Sequence, residues 1–237
     1  MSIRHGRHAV VSKGGIAVLA FGSAAIVGRM VFSGATRGFD HQCRHAALRR
    51  RTKTVKRAAK LFSTVGEPAA QVSLAVLASL DFARSSKAQG LSPSVRNVSA
   101  LSAPLISSLV GIAAHRSIKL LFKRRRPPGA LKTEPSFPSG HTTVTTAAAC
   151  TIAYAARARG IRSAYVVPTA LLLSVCVGLS RIFLDEHWAT DVIGGWCIGI
   201  AIASGTATLV NSSATPPTRP MSPTNARAKV RRASLAQ

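Results

Sequence analysis

Weakly polar stretches alternate with short basic runs along this chain, and the alternation has the length scale of a bilayer. Six stretches stand out, at roughly 14–33, 68–84, 98–122, 142–158, 164–183 and 188–209. Each approaches the ~17–25 residues that a helix needs to cross the hydrocarbon layer. They are rich in Ala, Gly, Ser and Thr, residues that let helices pack closely but depress hydropathy. The stretch at 142–158 is the shortest and the richest in Thr and Ala. The pattern predicts an all-α, integral-membrane bundle of about six transmembrane helices, forming a single domain over residues 1–210. From Asn211 to Gln237, Pro, Ser, Thr and Arg replace the apolar residues. That composition predicts a disordered tail, because it offers no apolar surface to bury.

Charge refines the picture without changing it. The chain has 32 basic and 7 acidic residues, a net charge of +25, yet 47% of it is hydrophobic. Nine cations fall between Arg37 and Lys60, with Leu48, Val55 and Leu61 as a thin apolar stripe. This segment reads as a surface helix lying on anionic headgroups. No recognisable nucleic-acid module accompanies the charge, so nucleic acid is not expected as a partner. Cations divide almost evenly between the two sets of loops, so the positive-inside rule does not orient the bundle. The basic start and the apolar core near 16–27 resemble a secretory leader. However, Val31-Phe32 prolongs the apolar run and no Ala-x-Ala follows, so the first stretch is read as an uncleaved span. Of the four cysteines, Cys150, Cys176 and Cys197 fall inside predicted spans. With Cys43 they form neither a C-x-x-C pair nor a disulfide framework.

Three motifs carry the chemistry. Lys119-Leu-Leu-Phe-Lys-Arg-Arg-Arg126-Pro127 closes the third stretch, Pro138-Ser139-Gly140-His141 opens the fourth, and Ser180-Arg181 closes the fifth, followed by His187 and Asp191 at the head of the sixth. If the spans alternate in direction, all three land on one membrane face. A phosphoryl group in transfer carries negative charge spread over its equatorial oxygens, so catalysis rests on positioned cations and dipoles. Arg126 and Arg181 can each fork onto two oxygens, and Lys119 adds a point charge. A helical step of seven residues would place Lys119 and Arg126 on one face. Ser139 and Gly140 precede a predicted helix, where backbone N–H groups favour an anion; Gly140 permits close approach and Ser139 can cap. His187 and Asp191, as i and i+4, would share a helical face, with Asp191 fixing the ring's tautomer. That makes His187 the candidate nucleophile. His141, with no acidic residue at such spacing, is the candidate general acid and later base. No carboxylate cluster or His/Cys set suits a metal, and no cofactor is expected. Lys123, Arg124, Arg125 and Lys132 read as lipid-surface charges.

These residues resemble the type 2 phosphatidic acid phosphatase superfamily of lipid phosphatases and vanadium haloperoxidases. Its signature, K-x6-R-P, then P-S-G-H, then S-R-x5-H-x3-D, is matched at every position over a core of about 95–210. The resemblance implies a metal-independent hydrolase with His187 as nucleophile and His141 as acid. It also implies a membrane-bound bacterial branch, in the inner membrane with the site facing the periplasm. The expected substrate is a lipid phosphomonoester or diphosphate: phosphatidic acid, phosphatidylglycerol phosphate or a polyprenyl diphosphate. Two alternatives remain: a lipid phosphotransferase using an acceptor other than water, and a non-catalytic scaffold, against which the intact His141, His187 and Asp191 argue. Asp185-Glu186, beside the nucleophile, departs from the small or apolar residues common in relatives and brings negative charge near the pocket.

Overall fold

The computed structural model describes residues 12–88, 95–158 and 164–212; the tail beyond Ser212 lies outside the described residues. The described residues form eight helices and no strand: α1 Lys13–Phe32, α2 Arg37–Arg49, α3 Lys53–Val65, α4 Pro68–Ala88, α5 Val95–Phe122, α6 Gly140–Ala158, α7 Val166–Phe183 and α8 Ala189–Ser212. The protein is an all-α integral-membrane bundle. Four helical segments are long and apolar enough to cross a bilayer: Gly14–Phe32, Ser102–Phe122, Val166–Phe183 and Ala189–Thr208. Large apolar side chains such as Phe21, Ile26, Leu109 and Leu172 point outward from them, as a lipid-facing surface requires.

The expected spans at 68–84 and 142–158 behave differently. α4 reaches the span criterion only jointly with α3, across a break where the pair bends by 56°. Gly66 caps α3, and a Cβ there would come within 2.3 Å of Val177 Cγ1 on α7, so the break sits tight against that helix. Pro68 then opens α4, where its missing N–H costs nothing, and Gln71 Nε2 ties back to the Val65 carbonyl at 2.7 Å.

α6 does not reach the criterion because it is the centre of the bundle, packed by α4, α5, α7 and α8. Every residue from Thr142 to Ala149 is buried. Three of its threonines bond back along the helix: Thr143 Oγ1 donates to the Ser139 carbonyl at 2.9 Å, Thr146 to Thr142 at 2.7 Å and Thr151 to Ala147 at 2.8 Å. A helix sheltered from lipid by its neighbours has no need of large apolar residues. Small ones let α8 approach. A Cβ on Gly195 would sit 2.9 Å from Thr142 Cβ, and one on Gly199 would sit 2.5 Å from Thr146 Cβ and 2.8 Å from the Thr143 carbonyl oxygen. This is small-xxx-small packing of one helix into another.

The basic segment at 37–60 is two helices rather than one. Thr52 caps α3 by accepting from Val55 N–H at 3.2 Å, which ends α2 just before it. α2 is held to the bundle by its one carboxylate, Asp40, which is 1% exposed, and by Arg44, which forks onto Asp185 with both contacts at 2.7 Å. Asp185 lies in the turn between α7 and α8 with φ 60°, a left-handed conformation that Asp tolerates better than most residues.

Candidate active site

The ends of α5, α6 and α7 and the turn into α8 converge on one cavity of ≈ 540 Å³. Lys119, Arg126, Gly140, His141, Arg181 and His187 all line it. Arg116 and Lys132 add two more cations at its wall, against one lining carboxylate, Glu134, so the cavity favours an anion. Leu120 on α5 also lines it while remaining 71% exposed, and Pro68 at the head of α4 lines it too, so part of its wall is apolar.

Lys119 and Arg126 reach the cavity by a route unlike the expected helical step. α5 ends at Phe122, and Lys123 takes a left-handed conformation with φ 46°. The chain then runs non-helically, and Arg126 enters from this extended segment. Its Nε donates to the Glu134 carbonyl at 2.8 Å and its Nη1 to the Glu186 carbonyl at 2.6 Å, which aims the guanidinium at His187 Nε2, 3.2 Å away. Arg181, at the end of α7, is 4% exposed and donates from Nη1 to the Ser63 hydroxyl on α3. Glu186 stands behind both arginines, with its Oε2 3.4 Å from Arg126 and 3.7 Å from Arg181. The carboxylates expected to burden the pocket are therefore both engaged, Asp185 by Arg44 and Glu186 by the two arginines.

His187 and Asp191 meet, but not on a helical face. α8 begins at Ala189, so His187 lies in the preceding turn. Asp191, in the first turn of the helix, accepts the Trp188 backbone N–H at 2.9 Å, which is half of a capping box. That wraps the turn so that His187 Nδ1 sits 3.3 Å from Asp191 Oδ2. With the carboxylate on Nδ1 and the Arg126 donor on Nε2, the partners assign the proton to Nδ1 and leave the Nε2 lone pair toward the cavity. Burial first, then Arg126 and Arg181, hold the His187 ring neutral down to about 3, against the pull of Asp191.

Three features of the sequence reading are revised. Arg124 is not a lipid-surface charge: its Nη1 donates to Asp191 Oδ1 at 2.6 Å and to Thr190 Oγ1 at 2.8 Å, and its Nη2 to Asp40 Oδ2 at 2.5 Å. The left-handed turn at Lys123 breaks helical phase, so Arg124 points into the bundle while Lys123 and Arg125 stay exposed. Lys132, though exposed, is part of the cavity wall. Ser139 is fully buried behind the cavity: its N–H donates to the Asp191 carbonyl at 3.0 Å and its hydroxyl accepts from Thr142 at 2.9 Å. Its amide is committed to joining α6 to α8, which leaves Gly140 as the residue of that turn facing the cavity.

Several residues at the site carry no sequence signal of their own. Ser136 donates to Asp191 Oδ2, and Asp40 accepts from Thr190 N–H at 2.9 Å, across 150 residues of chain. Glu67, at the α3–α4 break, lies 3.6 Å from His141 Nε2. His115 packs so close to Gly140 that a Cβ there would meet its Nε2 at 2.8 Å, which explains the glycine. Two buried side-chain nitrogens of residues lining the cavity, His141 Nε2 and Arg181 Nε, have no hydrogen-bond partner. Among the described residues, no three His, Cys, Asp or Glu side chains cluster as metal ligands.

The family model described as PAP2 superfamily matches residues 99–214. A lipid A 1-phosphatase of Porphyromonas gingivalis is 34% identical over 102 residues, covering 41% of this chain; the match spans only 22% of that longer protein. The crystal structure of a transmembrane PAP2-type phosphatidylglycerolphosphate phosphatase from Bacillus subtilis superposes with a TM-score of 0.70 at 20% identity, covering 86% of this chain and 98% of the other. That likeness is one of fold.

Proposed function

We propose, from the match of residues 99–214 to the PAP2 superfamily model and from the geometry of the cavity, that the chain is a lipid phosphatase working through a phosphohistidine. The observation that carries the reading is the cavity itself. Three cations from separate segments, two histidines and a glycine turn line one space that Pro68 and the exposed Leu120 also border. A lipid can lay its phosphate against Lys119, Arg126, Arg181 and the Gly140 amide while its chain passes between Pro68 and Leu120 into the bilayer.

In the first step His187 Nε2 attacks phosphorus, the P–N bond forms, and the P–O bond to the lipid breaks as His141 gives its proton to the leaving oxygen. Burial, then Arg181, push the His141 ring down to about 2; the incoming phosphate dianion offsets that positive charge and, with Glu67 at 3.6 Å, favours the protonated ring. Asp191 stabilises the charge that develops on His187, and Arg126 and Arg181 hold the equatorial oxygens. In the second step His141 takes a proton from water, which attacks phosphorus and breaks the P–N bond. Inorganic phosphate leaves and His187 is restored.

The proposal places the protein in a bacterial inner membrane with the site facing the periplasm, as the sequence resemblance implies; both relatives named above are bacterial. Cleavage of a membrane-impermeant phosphate ester by intact spheroplasts is the expected result, and cleavage only after lysis would reverse the orientation. Purified protein should release phosphate from at least one of phosphatidic acid, phosphatidylglycerol phosphate and a polyprenyl diphosphate. Failure on all three, with correctly folded protein, would remove the substrate class.

A further inference from the structure

A second cavity, of ≈ 400 Å³, lies where α1 and α5 end. None of Lys119, His141, Arg181 and His187 lines it. Its floor is apolar: Phe32 is the last residue of the first span and Phe122 the last of the span on α5, and their rings meet edge-on at 6.5 Å. Phe32 is 81% exposed, so this floor is continuous with the lipid-facing side of α1. The floor therefore sits at the depth where spans give way to headgroups.

The rim is cationic. Arg37 at the head of α2, His41 one turn on, and Arg125 after α5 all face the cavity. Among the described residues, neither Arg37 nor Arg125 has a carboxylate within ion-pair distance. The one carboxylate of α2, Asp40, is buried and already bound by Arg124 and Thr190. Trp188 closes the side: its Nε1 donates to the Arg125 carbonyl at 2.9 Å and its ring lies 5.0 Å from that of His41. An apolar floor at interfacial depth beneath two uncompensated guanidiniums matches an amphiphile with an anionic phosphate head.

We propose that this cavity is a second, non-catalytic site that binds an anionic phospholipid of the bilayer. Its phosphate lies between Arg37 and Arg125 and its chain against Phe32 and Phe122. The inference does not depend on the catalytic reading, because neither Arg37 nor Arg125 contacts the reacting groups; Arg124, which also lines this cavity, is already committed to Asp40 and Asp191. It gives the basic segment a specific binding place where diffuse attraction would give none.

Trp188 is the reporter. The chain has two tryptophans, so Trp196→Phe leaves Trp188 as the only indole. The full-length variant is reconstituted in mixed vesicles of fixed composition, with brominated acyl chains carried in one sample by the anionic phospholipid and in the other by an equal mole fraction of the zwitterionic one. Bulk electrostatics are then identical in the two samples. The site predicts enrichment of the anionic over the zwitterionic lipid at Trp188 of about thirtyfold, from two cations acting together. Arg37→Ala with Arg125→Ala should abolish the enrichment. Arg49→Ala with Arg50→Ala, which removes the same charge from exposed positions outside the cavity, should preserve it. Equal quenching by the two lipids would overturn the proposal. So would enrichment that survives in the Arg37/Arg125 variant or disappears equally in the Arg49/Arg50 variant.

Discussion

Arg124 and Arg125 are adjacent, identical and equally charged, yet the fold gives them opposite tasks, so alanine at each position tests the account of the relay carboxylate. Arg124 makes charge-assisted contacts at 2.6 Å to Asp191 and 2.5 Å to Asp40, and both carboxylates are almost wholly buried. Removing one partner of a buried ion pair costs about 3–5 kcal/mol. Asp191 would keep its bonds from Ser136 and Trp188, and Asp40 its bonds from Thr190, so the lower end, about 3 kcal/mol, is expected for Arg124→Ala. For a chain of this size that is roughly 6–12 °C in Tm. Activity should fall by about 10–100-fold, as when a group orienting a reacting side chain is lost. Arg124→Lys keeps the charge without the fork and should fall between. Arg125→Ala should change stability by less than about 0.5 kcal/mol. The assay is kcat on a short-chain soluble phosphate ester in detergent, which separates chemistry from membrane binding, with a thermal melt on the same samples. If Arg124→Ala and Arg125→Ala matched each other in both measurements, the assigned role of the Asp40–Arg124–Asp191 network would be wrong.

Other outcomes follow from the same geometry. Arg126→Lys should lose activity by at least about tenfold despite retaining charge, because the guanidinium uses separate nitrogens on the Glu134 and Glu186 carbonyls while facing His187; near wild-type kcat would refute this. Gly199→Ala should destabilise by about 1–3 kcal/mol, roughly 2–12 °C in Tm, since the Thr143 carbonyl oxygen at 2.8 Å cannot move aside within α6; an unchanged melt would contradict the close α6–α8 packing. His187, depressed to about 3 by burial against an ordinary value of about 6.5, binds its proton more readily in the unfolded chain. Its contribution to stability is therefore fully present above about 6.5 and lost as pH falls toward 3. Melting temperature plotted against pH should fall less steeply over that window in His187→Gln than in wild type, and equal slopes would remove His187 as a cause.

The reacting residues were legible because their spacing is fixed by the chemistry, whereas their supports were not. Lys119, Arg126, Gly140, His141, Arg181 and His187 could be read from three short motifs, and they share one cavity. Asp40, Ser63, Glu67 and Ser136 could not be, since each acts only through a contact made by tertiary folding. Arg124 was misread for a related reason. In a basic run every residue looks alike, and only the left-handed turn at Lys123 decides which one points inward. The spans showed the same division. α1, α5 and α7 declare themselves by facing lipid, and α8, though mostly buried, keeps enough apolar residues to pass as a span. α6, wrapped by protein, carries threonines that bond their own backbone, and its sequence loses the apolar signal in proportion to its burial. The contact of His187 with Asp191 was foreseen from spacing, yet a capping turn makes it where a helical face was expected.

The central claim, that His187 Nε2 carries the phosphoryl group, is tested most directly by trapping it. Protein mixed with a substrate labelled in the phosphate and bearing a leaving group that needs no protonation is quenched in alkali within one turnover. The account predicts acid-labile, alkali-stable label on the peptide containing His187, accumulation of that label in His141→Ala, where water is no longer activated, and no label or turnover in His187→Ala. Label on another residue, or full turnover in His187→Ala, would contradict it.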